Sequence, residues 1–312
     1  MNNRIFIYDI VRSLCVLWIV SFWHMLDYFK LTKEFSEYGF ITIGVLSCFT
    51  FLSGLFLGKK CIDMKTFYVI RFKRFWILLF LSSVSFYIIG YIKSSSEFIG
   101  TITGLSCLGL PWARTLWYFG MLIFFYLLTP FLLDADNNKR KVLVKGVLIF
   151  MVILLISYIT PPLKKSLVRV IPYYPYYLLG ILTPLNIVDK IKQSQRTIFV
   201  LFFIAISLLC FAKYVCFGSI HVMALSVFIF IFLISIIIEK LQLKLIRKTV
   251  SYVAFSSMCA YLFHRQIYGV IAKTSIYLLG CIHFWEIPIM LGSLFIISYY
   301  IQKYYNIIIK LI

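Results

Sequence analysis

Long apolar runs alternate along the chain with short segments that carry charges, Pro, Gly or Asn. A run of about 20 apolar residues is long enough for a helix to cross the hydrocarbon core of a bilayer. Runs of about this length predict ten transmembrane helices, at approximately residues 8–29, 39–58, 73–92, 116–134, 142–160, 169–186, 197–215, 219–239, 250–272 and 285–307.

Two apolar segments fit this pattern less well. Segment 98–112 is short and interrupted by glycines, so we expect a re-entrant or interfacial piece there and not a span. Segment 169–186 is counted as a span, but it contains Pro172, Pro175 and neighbouring tyrosines. Because proline removes a helical hydrogen bond, this segment is expected to be broken or to line a cavity.

The composition is typical of a membrane protein. Hydrophobic residues make up 62% of the 312 residues and charged residues only 13%, whereas a soluble domain is about half apolar and about a quarter charged. We therefore expect an all-α, polytopic transmembrane helix bundle in the plasma (inner) membrane. It should form a single domain over residues 1–312, with no extra soluble domain.

Basic residues predict the orientation. With ten spans and a cytoplasmic N-terminus, 21 of the 31 Lys and Arg residues fall in inside loops and the other 10 fall outside. Cytoplasmic loops of membrane proteins carry such an excess, so both termini are predicted to be cytoplasmic. The same rule accounts for the net charge of +20, and nucleic acid is not an expected partner.

Cysteines and the carboxylates at span ends are assigned no chemistry. None of the eight cysteines forms a Cys-x-x-Cys motif, and no Cys/His cluster has zinc spacing. Neither a structural disulfide nor a metal site is expected. Glu239 and Glu286 lie at the ends of predicted spans and are expected to be solvated.

The first predicted span contains four ionisable residues, Asp9, Arg12, His24 and Asp27. Charges inside a bilayer are costly, so each such group is a functional candidate. At about 1.5 Å per residue, His24 lies about 18 Å beyond Arg12, in the outer half of the membrane. Asp27 shares nearly the same helix face and can orient His24 as a general base, while Asp9 can orient Arg12. The alternative is a packed interfacial histidine bonded to Asp27.

Arg71 and Arg74 open the third predicted span and, three residues apart, share a helix face. The guanidinium fork matches phosphate oxygens, so a cytoplasmic pair of this kind can hold the phosphates of a nucleotide-type cofactor. The alternative is an ordinary basic flank of a membrane span.

Three further motifs have both a structural and a functional interpretation. Ser53 and Gly54 in the second span indicate close helix contact or the wall of a narrow tunnel. The pair 117–118, Trp then Tyr, is typical of an aromatic belt and alternatively of a sugar platform. His264 and Arg265 lie deep in the ninth span and need partners, and no carboxylate close in sequence supplies one.

The order and spacing of these motifs resemble the acyltransferase-3 family of membrane acyltransferases, which modify surface polysaccharides, O-antigens and other exported acceptors. The resemblance runs from residue 4 to about residue 268. Its motifs are the Asp-x-x-Arg opening at Asp9 and Arg12, the first-span histidine at His24, Phe-Phe-x-x-Ser-Gly at Phe49, Ser53 and Gly54, Arg-x-x-Arg at Arg71 and Arg74, and later landmarks at Trp117, Tyr118 and Tyr261 to His264.

The chain departs from the family pattern in two places. Thr50 replaces the second phenylalanine, and eleven residues, 13 to 23, separate Arg12 from His24 where the family usually has ten. The family's ten intervening residues place the two side chains eleven positions apart, which on an α-helix leaves them about 20° apart around the axis. The eleven intervening residues of this chain place them twelve positions apart, which leaves them about 120° apart. A π-bulge can absorb one extra residue and often marks a functional site. The alternative is a regular helix, in which Arg12 faces a different direction from His24 and does not share its site.

The resemblance implies a membrane-bound O-acyltransferase, most simply an O-acetyltransferase, with cytoplasmic acetyl-CoA or another acyl-CoA as the donor. Arg71 and Arg74, with Arg12 and Ser53, would bind the donor, and His24 would deprotonate a hydroxyl of a cell-surface or exported glycan or lipid-linked sugar. Trp117, Tyr118, His264 and Arg265 are the candidate acceptor-binding residues. The alternative from another class is a transporter or flippase for a glycan or lipid precursor, although no inverted repeat is visible.

Overall fold

The computed structural model describes residues 6–57, 63–111, 113, 115–133, 138–214 and 219–311. Within these ranges the chain is helical, with connecting segments and no β-strand, so the predicted all-α fold is confirmed. Six residues discussed in the sequence, or counted in its charge balance and cysteines, lie outside the described residues: Arg4, Lys59, Lys60, Cys61, Arg114 and Cys216.

The α-helices are numbered in chain order. They are α1 (Phe6–Val16), α2 (Met25–Tyr28), α3 (Gly39–Leu57), α4 (Met64–Ile89), α5 (Ser95–Thr103), α6 (Trp117–Leu132), α7 (Lys139–Ile159), α8 (Pro161–Val170), α9 (Tyr174–Leu182), α10 (Ile187–Gln193), α11 (Gln195–Tyr214), α12 (Ile220–Lys240), α13 (Lys244–Leu279) and α14 (Ile287–Leu311). A π-helix, Leu17–Trp23, joins α1 to α2, and short 3₁₀ turns cover Ser36–Tyr38, Leu105–Leu108 and Phe284–Glu286.

Among the described residues, seven helical segments are long and apolar enough to cross a membrane. They coincide with seven of the ten predicted spans and begin with Phe6–Tyr28, which includes the π-helix. The predicted span 116–134 corresponds to the shorter helix α6, and 250–272 lies inside the 36-residue helix α13. The full count of ten spans and the orientation of the termini stay predictions.

The chain divides into two compact units. The first contains the residues up to Phe49 and from Leu185 onward. In it α1 packs against α12 and α13, α13 packs along α14, and α11 packs along α12. The Tyr8 hydroxyl donates to the carbonyl of Leu185 at 2.7 Å and the Ser13 hydroxyl to that of Val250 at 3.0 Å. These bonds tie the first span to the later part of the chain in its unit.

The second unit contains Thr50–Pro184. In it α4, α5 and α6 pack together, and α7 contacts α6, α8 and α9. The predicted span 169–186 is broken, as expected, because turns at residues 171–173 separate α8 from α9. The region 98–112 consists of the end of α5 and a 3₁₀ turn, which agrees with a short piece that does not span.

The expectation that the span-end glutamates are solvated was wrong. Glu286 is only 1% exposed, and its carboxylate accepts hydrogen bonds from the Ser275 hydroxyl at 2.6 Å and the His283 backbone at 3.1 Å. Glu239 is mostly buried and pairs with Lys192. The position of each glutamate at a span end did not reveal its hydrogen-bond or ion-pair partners in the fold.

Candidate active site

The π-helix in the first span lies immediately before His24. The backbone N–H of His24 donates to the carbonyl of Ile19 at 2.9 Å, an i to i−5 bond that defines a π turn. The Val20 carbonyl, inside the same segment, accepts a hydrogen bond from the Tyr268 hydroxyl at 3.2 Å. The π-bulge suggested by the extra residue after Arg12 is therefore confirmed, and a side chain of α13 supports it.

Two histidines stack at the end of this segment. The rings of His24 and His264 lie 4.5 Å apart between centroids and only 4° from parallel. His264 is fully buried, and its Nδ1 lies 2.7 Å from the carbonyl oxygen of Tyr261. The Tyr261 ring stands edge-on to both imidazoles, at 6.4 Å from His24 and 5.9 Å from His264. The first-span histidine thus lies in an aromatic setting built by α13.

An ion pair between Asp27 and Arg265 lies next to the stacked rings. Asp27 Oδ2 accepts from the guanidinium, and its Oδ1 accepts from the Thr32 hydroxyl at 2.6 Å. The Arg265 guanidinium also lies 5.7 Å from the Tyr28 ring, and the Tyr28 hydroxyl donates to the Arg265 carbonyl at 3.1 Å. A carboxylate has about four lone-pair sites, so these bonds leave room for Asp27 to accept one from an imidazole as well.

Asp9 and Arg12 lie one turn apart on α1. Asp9 is buried and Arg12 is half-buried, in the helix that contacts both α12 and α13. Both side chains therefore lie within the packed part of the first unit and do not extend freely from its surface.

Arg71 and Arg74 lie on α4 in the second unit. Arg71 is half-buried, with its guanidinium 5.8 Å from the Phe67 ring and close enough to Tyr126, Tyr177 and Arg74 to interact electrostatically. Arg74 is exposed. Arg71 thus interacts with the buried Tyr177 and the half-buried Tyr126, and Arg74 is accessible to an approaching anion.

Ser53 and Gly54 lie where α3 crosses α9. A Cβ atom on Gly54 would lie 2.2 Å from the carbonyl oxygen of Tyr177, and one on Gly180 would lie 2.1 Å from that of Phe51. The two backbones therefore touch, which confirms the close helix contact that the Ser-Gly pair indicates. Ser53 itself is half-buried beside this crossing.

Comparison with known proteins identifies the family. The model of the acyltransferase-3 family, described as an acyltransferase domain, matches residues 5–303. The chain belongs to the acyltransferase-3 family. No curated protein and no solved structure matches it. Together with the seven apolar helices, the family makes the protein a multi-pass membrane acyltransferase.

The departure of this acyltransferase from the family's Phe-Phe motif has a structural explanation. Thr50 is fully buried, and its hydroxyl lies 3.2 Å from that of Tyr118, so the two share a hydrogen bond. A phenylalanine at position 50 would leave the buried phenol without this bond. Thr50 therefore serves as the hydrogen-bond partner of Tyr118, the tyrosine of the Trp-Tyr motif, within the second unit.

Trp117 of this acyltransferase is half-buried among side chains of the second unit. Its ring lies 5.9 Å from the Tyr173 ring and 6.0 Å from the guanidinium of Arg169. These residues border a narrow pocket lined by Ser106, Cys107, Trp117, Ser166, Arg169 and Val170. Polar and aromatic groups therefore meet at this end of α6.

Sequence reasoning missed three residues of the candidate site, Tyr28, Thr32 and Tyr268. Tyr268 had a signal, because residues 261, 264, 265 and 268 recur at helical spacing and share one side of α13. Thr32 had none, since it lies in a turn after α2. Within the described residues, no group of three or more His, Cys, Asp or Glu side chains is placed to hold a metal ion.

Proposed function

We propose that this membrane acyltransferase moves an acyl group, most simply acetyl, from cytoplasmic acyl-CoA to a hydroxyl of a cell-surface or exported glycan or lipid-linked sugar. The plasma membrane is the proposed location. The observation that carries the proposal is the His24 imidazole in the first span, stacked on His264 beside the Asp27–Arg265 ion pair. An imidazole next to an ordered carboxylate is the arrangement of a general base.

His24 is the proposed base. It takes the proton of the acceptor hydroxyl while the oxygen attacks the thioester carbon of acyl-CoA. The new C–O bond forms, the C–S bond breaks, and the proton passes from His24 to the departing CoA sulfur. Such general-base help contributes about 10²–10⁴-fold, and holding both substrates in position supplies much of the remainder.

Asp27 is the proposed group that orients His24 and supports its positive charge during the reaction. Arg265 and Thr32 each donate a hydrogen bond to one oxygen of the Asp27 carboxylate. These bonds favour an orienting role, because they hold the carboxylate in one orientation. Asp9 is proposed to orient Arg12 one turn further along α1.

Arg71 and Arg74, with Arg12 and Ser53, are the proposed donor-binding residues. CoA carries several phosphate charges, and guanidinium groups bind phosphates bidentately. The half-buried Arg71 and the exposed Arg74 favour such a role, because one is partly desolvated and the other is accessible.

Replacing both Arg71 and Arg74 with alanine should raise the KM for acetyl-CoA at least about tenfold, since hydrogen bonds to charged groups contribute about 1.5–3 kcal/mol each. The acceptor dependence should stay unchanged. Initial rates at varied acetyl-CoA would measure this effect. Lys65→Ala, which removes an exposed charge from the first turn of the same helix, is the matched control. An unaltered donor KM in the double variant would remove these arginines from the donor site.

Trp117, Tyr118, His264 and Arg265 are the proposed acceptor-binding residues. Aromatic faces pack against sugar rings, and Trp117 lies beside the Tyr173 ring and the Arg169 guanidinium. Tyr118 is buried and bonded to Thr50, so its proposed contribution is to fix the neighbouring tryptophan.

The function is tested by offering radiolabelled acetyl-CoA to the purified protein in proteoliposomes together with a surface-glycan extract of the source organism. Label in the glycan, and loss of one acetyl mass from the glycans of a deletion strain, are the expected results. Movement of the glycan across the membrane without labelling would establish a carrier instead.

A further inference from the structure

His264 combines complete burial with a local hydrogen bond to the backbone of its own helix. Its Nδ1 lies 2.7 Å from the Tyr261 carbonyl, which can only accept, so Nδ1 carries the hydrogen of that bond. The imidazole is fully buried and the adjacent side chain, Arg265, is already a cation. A second positive charge in this place would be costly. The ring is therefore the neutral Nδ1–H tautomer, and Nε2 presents a lone pair.

That lone pair is an orphaned buried acceptor. Among the residues that the structure describes, no donor reaches Nε2 of His264. Buried polar atoms are nearly always hydrogen-bonded, and exceptions commonly mark functional sites. The ring that bears this lone pair is stacked on His24 with 4.5 Å between centroids. A donor bound at Nε2 would consequently lie beside the proposed base.

We propose that His264 is a substrate-binding residue whose Nε2 accepts a hydrogen bond from a second hydroxyl of the acceptor, the neighbour of the hydroxyl that His24 deprotonates. This inference rests on the proposed acyl transfer. One hydroxyl has one proton and cannot donate to both imidazoles at once. Two adjacent hydroxyls of a sugar ring can each face one of two rings that stack at this distance. The acceptor class is therefore a vicinal diol, as in a glycan, and not an isolated alcohol.

Three substitutions at position 264 distinguish the contribution of the Nε2 lone pair from that of the aromatic ring. His264→Phe keeps an aromatic ring of similar size and removes both nitrogens. His264→Gln places its amide oxygen near the position of Nε2, whereas His264→Asn reaches only as far as Nδ1. The readouts are transfer of label from radiolabelled acetyl-CoA, the KM for acetyl-CoA, and the amount of surface-glycan extract that gives half-maximal transfer. Melting temperature in detergent reports whether each variant folds.

The phenylalanine and asparagine variants should need about tenfold more extract, the effect of one hydrogen bond, with an unchanged acetyl-CoA KM. The glutamine variant should need nearly as little as the wild type. Equal extract requirements for the wild type and a folded Phe or Asn variant would overturn the inference. So would a glutamine variant that folds but is impaired as much as the others.

The diol is tested separately by periodate oxidation of the extract, which cleaves the carbon–carbon bond between two carbons that carry hydroxyls. Wild-type transfer should be lost, and full transfer to the oxidised extract would refute the diol. If the wild-type protein transfers label while the His264 pattern is absent, only this inference fails. If the wild-type protein transfers none, the proposed function fails first.

Discussion

Replacing His24 with alanine is expected to lower acyl transfer by about 10²–10⁴-fold, the usual contribution of a general base. The side chain lies at the end of the π-helix, stacked on His264, and no other imidazole in the described part of the first span can take the proton. Label transferred from acetyl-CoA to the glycan extract measures the loss. The KM for acetyl-CoA should stay close to the wild-type value, because the arginines proposed to bind its phosphates are unchanged.

His221→Ala is the matched control, because this histidine is exposed at the start of α12 and has no proposed role. It should leave transfer unchanged. Both variants should be compared at equal amounts of membrane-inserted protein, with melting temperatures in detergent to exclude unfolding. A folded His24→Ala variant that turns over at the wild-type rate would contradict the assignment of the base.

The sequence reduced the geometry of the first span to two alternatives, a π-bulge or an Arg12 side chain turned away from His24. Eleven residues between Arg12 and His24 do not fit an α-helix that places both on one face, and the residues 17–23 form the π-helix that this spacing suggested. The argument worked because helix geometry is local, and an extra residue must appear as a bulge or as a rotation. The same locality explains why the prolines of 169–186 correctly predicted a break.

Helix length was less predictable. Hydropathy placed a span at 250–272, whereas α13 extends over Lys244–Leu279, because polar residues at both ends continue the helix beyond the apolar run. The predicted span 116–134, by contrast, was longer than the helix found there, α6. The length of an apolar run indicates which residues can lie within the hydrocarbon core of a bilayer. The length of the helix depends also on packing against other helices and on the residues at its ends.

The partners within the candidate site could not be derived from sequence. Asp27 and Arg265 are 238 residues apart, and their pairing depends on how α1 and α13 pack. Sequence reasoning identified Arg265 as a buried cation that needs a carboxylate but found none nearby. It also identified Asp27 as a carboxylate and assigned it only to His24, because helix spacing relates residues within one helix. Packing between helices supplied Arg265 as a partner of Asp27.

Replacing Gly180 with alanine is expected to destabilise the second unit strongly. The new Cβ would lie 2.1 Å from the Phe51 carbonyl oxygen and 2.8 Å from the Leu55 backbone nitrogen. Both obstacles are backbone atoms, which cannot rotate away as a side chain can. Overpacking usually costs about 1–3 kcal/mol, and a clash with backbone belongs at or above the upper end of that range. Thermal unfolding in detergent and the yield of inserted protein would measure it.

Gly54→Ala tests the same crossing from the opposite helix, since its Cβ would lie 2.2 Å from the Tyr177 carbonyl oxygen. Gly292→Ala is the matched control, because a Cβ at that position in α14 meets no heavy atom within 4 Å other than those of its chain neighbours and its own helix backbone. Alanine is favoured over glycine inside a helix by about 1 kcal/mol, so the control should be neutral or slightly stabilising. Because Ser53 borders this crossing and is a proposed donor-binding residue, any folded Gly180→Ala protein should also bind acetyl-CoA more weakly. If Gly180→Ala and Gly292→Ala melted at the same temperature, α3 and α9 could not be in backbone contact.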